Sequence, residues 1–308
     1  MIDMQIFWQV EVSRRDTKSR QLCRFDQSER DSSDKSVIIL HLTGHEFKSQ
    51  REAVPTSSII ARNTVLAMAE TEQPVIILYD LACTKNVCFS PVVWKVRLML
   101  NYKKVPYKTV FLEFPDIEPT LKKLGVAPHD PGSDVNYTVP TIQHVPTGVF
   151  IMDSLRIAKF LESTHPDPPL SLLSDLGLEI ESKARRAIGP AFATSIVPRE
   201  NLILSSRSQE YFRTKNEAKF GCKLEDLLDK EEKTWDGVRE KMEELSEMMM
   251  KNGGPFMLGE TPSYTDFFIA ASLQSARTVD EGVFERCAEY PGFRRIYEAC
   301  LPWMEKKD

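Results

Sequence analysis

The chain has 308 residues, enough for about two domains of ~150 residues each. It is 42% hydrophobic and 28% charged, an ordinary globular composition that is too apolar for a disordered chain. A net charge of −5 argues against a general nucleic-acid binder, and no run of about 18 apolar residues is present to span a membrane.

Residues 1–73 read as an extension with little core to bury. Arg14 to Lys35 mixes both charge signs with Ser, Asp and Gln, and only Val37 to Leu40 could make a short strand. Such a segment cannot offset its ordering entropy and is expected to be poorly ordered. The opening Met1 to Asp16 carries an acidic Asp3 and no long apolar stretch, so it does not read as a secretory signal. A soluble, reduced, cytoplasmic protein is the expectation.

From Val75 the pattern changes. Val75-Ile76-Ile77-Leu78-Tyr79 is a continuous β-rich apolar run, as a strand buried on both faces requires. Ser90-Pro91 then combines a preferred N-cap with a preferred first helical residue, and a helix is predicted over Val92 to Tyr102. Within it, Trp94 reads as packing, and Lys95 and Arg97 as a solvated face. A strand fits Tyr107 to Leu112, a short helix Ile117 to Leu124, and two further strands Thr138 to Ile142 and Gly148 to Met152. Asp153-Ser154 opens another helix through Leu161. The order over this stretch is β-α-β-α-β-β-α.

The run His165-Pro166-Asp167-Pro168-Pro169 cannot continue a helix and marks a linker. Beyond it the pattern is helical to the end. Glu217 to Lys251 is charged with spaced apolar residues, giving one or two solvent-flanked helices, and Asn252-Gly253-Gly254-Pro255 stops them. Ser263 with Asp266 resembles a capping box for the next helix, the Asp carboxylate standing in for the usual Glu, with Pro262 expected to staple to Phe267. The expected domains are therefore 74–165 and 173–308, joined by a linker over 166–172.

Six cysteines, at 23, 83, 88, 222, 287 and 300, form no CxxC pair, and no Cys/His cluster has zinc-ligand spacing. No metal centre is expected.

Four motifs in this order carry a resemblance: Cys88 to Arg97, Val139-Pro140, Asp153-Ser154, and Gly259 to Asp266. Together they resemble the cytosolic glutathione transferase superfamily over residues 74–303. With Tyr211-Phe212-Arg213-Thr214 and Phe220-Gly221, the likeness is nearest to the fungal and bacterial β-etherase-like branch. The resemblance implies an α/β thioredoxin-like N-terminal domain followed by an all-α C-terminal domain. It also implies glutathione as co-substrate, a hydrophobic electrophile as second substrate and a homodimer. The Val139-Pro140 bond would be cis, leaving the Val139 backbone free to pair with an extended peptide such as glutathione. The second-substrate pocket would lie between the domains, around Ala191, Phe192 and Ile196.

The residues also have readings of their own. Asp153 can accept from an ammonium, and the Ser154 hydroxyl with the first helix amides can hold a carboxylate, which suits an amino-acid head group. The bland alternative is a plain helix cap. Ser90, at a helix N-terminus, can stabilise a thiolate and so activate a bound thiol. Cys88, two residues earlier, could instead form a mixed disulfide, which would make the protein a thiol reductase. A non-catalytic ligand-binding or interaction module of the same fold is the further alternative.

Overall fold

The computed structural model describes residues 73–129 and 135–306. The expected extension, and the short strand over Val37 to Leu40, lie outside the described residues, except for Gln73 itself.

The N-terminal half is built on a four-stranded sheet in the order β2-β1-β3-β4. Its strands are β1 (Ile76–Leu81), β2 (Tyr107–Leu112), β3 (Thr141–His144) and β4 (Val149–Met152). β1 runs parallel to β2 and antiparallel to β3, and β3 is antiparallel to β4. The parallel pair needs a crossover, which α1 (Pro91–Tyr102) supplies. α2 (Ile117–Lys123) follows β2 after a 3-10 turn at Phe114–Asp116, and α3 (Ser154–Thr164) follows β4. This is the expected βαβαββα order in a thioredoxin-like sheet domain. β3 starts at Thr141 rather than Thr138, because Thr138 to Pro140 form a turn-like approach in which Thr141 Oγ1 donates to the Thr138 carbonyl at 2.8 Å.

The C-terminal half is helical. It comprises α4 (Asp175–Glu200), α5 (Ser206–Phe220), α6 (Glu231–Met250), α7 (Tyr264–Val279), α8 (Glu281–Ala288) and α9 (Pro291–Cys300). α5 ends at Gly221, whose φ of 67° is the left-handed value that glycine adopts without a Cβ penalty. α7 is its centre, buried along nearly its whole length and packed on α1, α4, α8 and α9. Its start has the full capping box: the Ser263 hydroxyl accepts from the Asp266 amide, and the Asp266 carboxylate accepts from the Ser263 amide.

α1 lies between the sheet and α7, and this corrects the reading of Lys95 and Arg97. Neither is on a solvated face: they are 2% and 0% exposed. A helix covered on both sides has no wet face, so its charges need partners inside. Arg97 Nη2 donates to Asp80 Oδ2 on β1 and to Thr109 Oγ1 on β2. Lys95 Nζ sits 4.4 Å from the ring centre of Tyr264, the first residue of α7. Trp94 is core, as expected, and its indole N–H donates to the Cys88 carbonyl at 3.0 Å.

Candidate active site

A cavity of about 660 Å³ opens where the N-terminal end of α1 faces α5. Ser90 and Val139 stand on its wall from the sheet domain. Phe114, Ile117 and Tyr137 add apolar surface, and the end of α4 and the side of α5 close it with Glu200, Tyr211, Phe212, Lys215 and Asn216. A largely apolar recess with a few polar groups is the usual form of a small-molecule site.

Ser90 is the N-cap residue of α1, with extended backbone angles, yet its hydroxyl makes no cap hydrogen bond. Pro91 at the first helical position has no N–H of its own to satisfy. The side chain is therefore spare, at the positive end of a twelve-residue helix and on the cavity wall.

Val139 precedes a cis Val139–Pro140 bond. Neither its N–H nor its C=O has a hydrogen-bond partner among the described residues, whereas Pro140 accepts from the Asp153 amide at 3.3 Å. A strand-like backbone with both groups unspent beside a cavity can take an extended peptide.

Asp153 and Ser154 sit at the β4–α3 junction, next to this segment but off the cavity lining. Asp153 Oδ1 accepts from the Leu155 and Arg156 amides at 2.9 and 3.0 Å, so the plain cap is present. Its φ of 90° is unusual for a residue with a side chain. The Ser154 hydroxyl is buried and has no hydrogen-bond partner among the described residues. Leaving a buried hydroxyl unpaired costs about 1–3 kcal/mol, which an incoming carboxylate would offset.

Cys88 behaves differently. It is fully buried, off the cavity lining, and contacts the Ser90 carbonyl through its sulfur at 3.8 Å. Burial, reinforced by the Asp80 carboxylate, holds the thiol well above its ordinary pKa. A buried, protonated sulfur lacks the exposure and thiolate character that mixed-disulfide chemistry needs.

The second-substrate wall also needs correcting. Ala191, Phe192 and Ile196 are all 0% exposed and belong to the core. The cavity is lined one to two turns further on, at Glu200, and by α5. Tyr211 and Phe212 were visible in the sequence only as part of the family motif. Glu200, Lys215 and Asn216 gave no signal, since charged and amide residues in a helix ordinarily read as solvated.

Comparison with known proteins places this architecture. The glutathione S-transferase N-terminal domain family matches residues 89–164, and the C-terminal domain family matches residues 180–289. The chain is 32% identical over 262 residues to a glutathione S-transferase-like protein, ustS, of Aspergillus flavus, covering 77% of this chain and 94% of that one. It is 30% identical to a probable maleylacetoacetate isomerase of Caenorhabditis elegans, covering 67% of this chain and 81% of the relative. A glutathione S-transferase of Ceriporiopsis subvermispora, solved in complex with glutathione, superposes with a TM-score of 0.68 at 29% identity, over 76% of this chain and 99% of that one.

Proposed function

Because the chain belongs to the cytosolic glutathione transferase superfamily, we propose that it binds glutathione at the α1 N-terminus and transfers its sulfur to a hydrophobic electrophile held in the cavity. The observation that carries this reading is that the spare Ser90 hydroxyl and the unpaired Val139 backbone stand on the wall of one apolar recess. Three unspent groups suit three parts of the peptide. Val139 would pair with its backbone, the orphaned Ser154 hydroxyl with Asp153 would take the γ-glutamyl head group, and Ser90 would donate to the sulfur. A hydroxyl and a helix dipole aimed at a thiol favour its thiolate, the nucleophilic form. Holding that thiolate beside an apolar partner makes their reaction effectively unimolecular.

Conjugation and cleavage of β-aryl ethers are both reactions that such an arrangement would support. Similarity to a maleylacetoacetate isomerase supports a second reading, an isomerase. A non-catalytic binding module is disfavoured by the unspent Ser90 hydroxyl, and a Cys88-dependent reductase by the burial of that thiol. A cytoplasmic homodimer belongs to the same proposal, and sedimentation measures its oligomeric part.

The test is glutathione-affinity capture followed by turnover on aryl halides, isothiocyanates, β-aryl ethers and maleylacetoacetate. Turnover on any class assigns the reaction. Retention on the resin with no turnover on any would make the protein a binding module, and failure to bind glutathione would overturn the reading altogether.

A further inference from the structure

The least compensated group on the cavity wall is Glu200. It is the last residue of α4, 3% exposed, and its Oε2 is buried without a hydrogen-bond partner; none is made by its other oxygen either among the described residues. Burial alone pushes its carboxyl well above the ordinary value, which favours the protonated, uncharged form. Buried polar atoms are paired in the great majority of cases, and an exception calls for an explanation. The other charged groups on the same wall do not supply one. Lys122 pairs with Glu118 at 2.6 Å, and Lys215 Nζ lies 5.8 Å from the ring centre of Tyr211.

We infer that Glu200 is the specificity-determining hydrogen-bond donor of the electrophile pocket, selecting aryl electrophiles that carry an acceptor oxygen away from the reacting carbon. This rests on the glutathione-site reading above. An uncharged carboxylic acid has one O–H to donate, and a hydrogen bond made inside a protein is electrostatically stronger than one in water. The surroundings choose the ligand chemistry further. Phe114, Tyr137, Tyr211 and Phe212 provide flat faces for an aryl group. The Lys215 ammonium on the same wall repels a cationic ligand, which is the alternative partner for a carboxyl. An oxygen acceptor agrees with both the acid and the ammonium.

Binding of preformed conjugates tests this without requiring turnover. S-benzylglutathione and its 2-, 3- and 4-acetyl derivatives are titrated calorimetrically into the full chain, then into Glu200→Gln and Glu200→Leu. The wild-type protein is expected to bind one acetyl isomer about 2- to 10-fold more tightly than the parent, the range of one neutral hydrogen bond. Glu200→Gln, whose amide still donates, keeps that ratio; Glu200→Leu brings it to about one. A ratio that survives in Glu200→Leu, or no preference at any ring position in the wild type, overturns the inference and leaves the glutathione site standing. A Glu200→Leu chain that fails to fold overturns it too, because the carboxyl would then serve the fold. If no conjugate binds the wild-type protein, the glutathione-site reading falls and takes this inference with it.

Discussion

Arg97 Nη2 lies 2.9 Å from Asp80 Oδ2, and neither side chain exposes any surface to solvent. The pair joins α1 to β1, and Arg97 Nη1 adds a bond to the Tyr107 hydroxyl on β2 at 3.2 Å. Asp80 Oδ1 is held by the Leu81 amide at 2.6 Å. Burial raises the Asp80 carboxyl pKa against the pull of Arg97, so desolvation outweighs attraction at this site.

A buried ion pair of this kind is fragile to one-sided change. Arg97→Met should destabilise the protein by about 3–5 kcal/mol, because Asp80 is left buried without its counter-charge. Adding Asp80→Asn to it should recover much of that loss. Guanidinium unfolding of the two variants measures both values. A double variant no more stable than Arg97→Met would mean that the desolvated charge is not the source of the cost.

At the start of α7, Asp266 accepts from the Met257 amide at 2.9 Å, the Ser263 amide at 2.8 Å and the Ser263 hydroxyl at 2.6 Å. Ser263→Ala removes one cap bond and should cost about 0.5–2 kcal/mol. Asp266→Ala should cost more, since it leaves two buried amides unpaired at about 1–3 kcal/mol each. Thermal unfolding should rank wild type above Ser263→Ala and that above Asp266→Ala. The reverse order of the two variants would refute the assignment of Asp266 as the hub.

Most of the fold was legible because its signals are local. A β-rich apolar run, a Ser-Pro helix start and a Ser/Asp capping box each declare themselves within a few residues. What failed depended on contacts far apart in the chain. Lys95 and Arg97 look solvated until β1 and α7 close over α1 from opposite sides. Glu200 looks like any helical glutamate until its carboxyl is found buried without a partner among the described residues. Ser90 and Val139 do line the cavity, and the signals that singled them out were a hydroxyl at a helix start and, for Val139, the family's proline motif. The Ala191, Phe192 and Ile196 wall was misplaced because which face of a long helix turns inward depends on its neighbours.

Glu200 also makes a pH prediction. Burial makes its carboxyl hold a proton to higher pH in the fold than in the unfolded chain, where it ionises near pH ~4.3. A raised folded pKa means that the folded state holds a proton which the unfolded state gives up. Glu200 therefore costs stability above pH ~4.3, increasingly as pH rises toward the folded value, with a limiting slope of about 1.4 kcal/mol per pH unit. Asp80 and Asp266 are raised by burial as well, so the measurement is a difference. Subtracting the stability of Glu200→Gln from wild type across this range should give a difference that falls as pH rises above the unfolded value. A flat difference would mean that Glu200 titrates alike in both states.

The sharpest test of the site separates Asp153's two duties. Its Oδ1 caps α3 through the Leu155 and Arg156 amides, at a backbone φ of 90°. Asparagine is as good a cap and tolerates positive φ, so Asp153→Asn keeps the helix start and removes only the charge. Asp153→Ala should lose the cap as well, at about 0.5–2 kcal/mol, and so cannot separate the roles. If Asp153 holds an ammonium, Asp153→Asn should weaken glutathione binding about ten- to a hundred-fold, the range of a hydrogen bond to a charged group. The head group is remote from the sulfur, so the ground and transition states lose alike: KM rises while kcat holds. Ser90→Ala should act the other way. On the proposed reading it removes the donor to the developing thiolate, so kcat should fall and the bound thiol should titrate at higher pH, read by thiolate absorbance. Unchanged glutathione affinity in Asp153→Asn would reduce Asp153 to a helix cap and send the search for the head-group carboxylate elsewhere on the sheet domain.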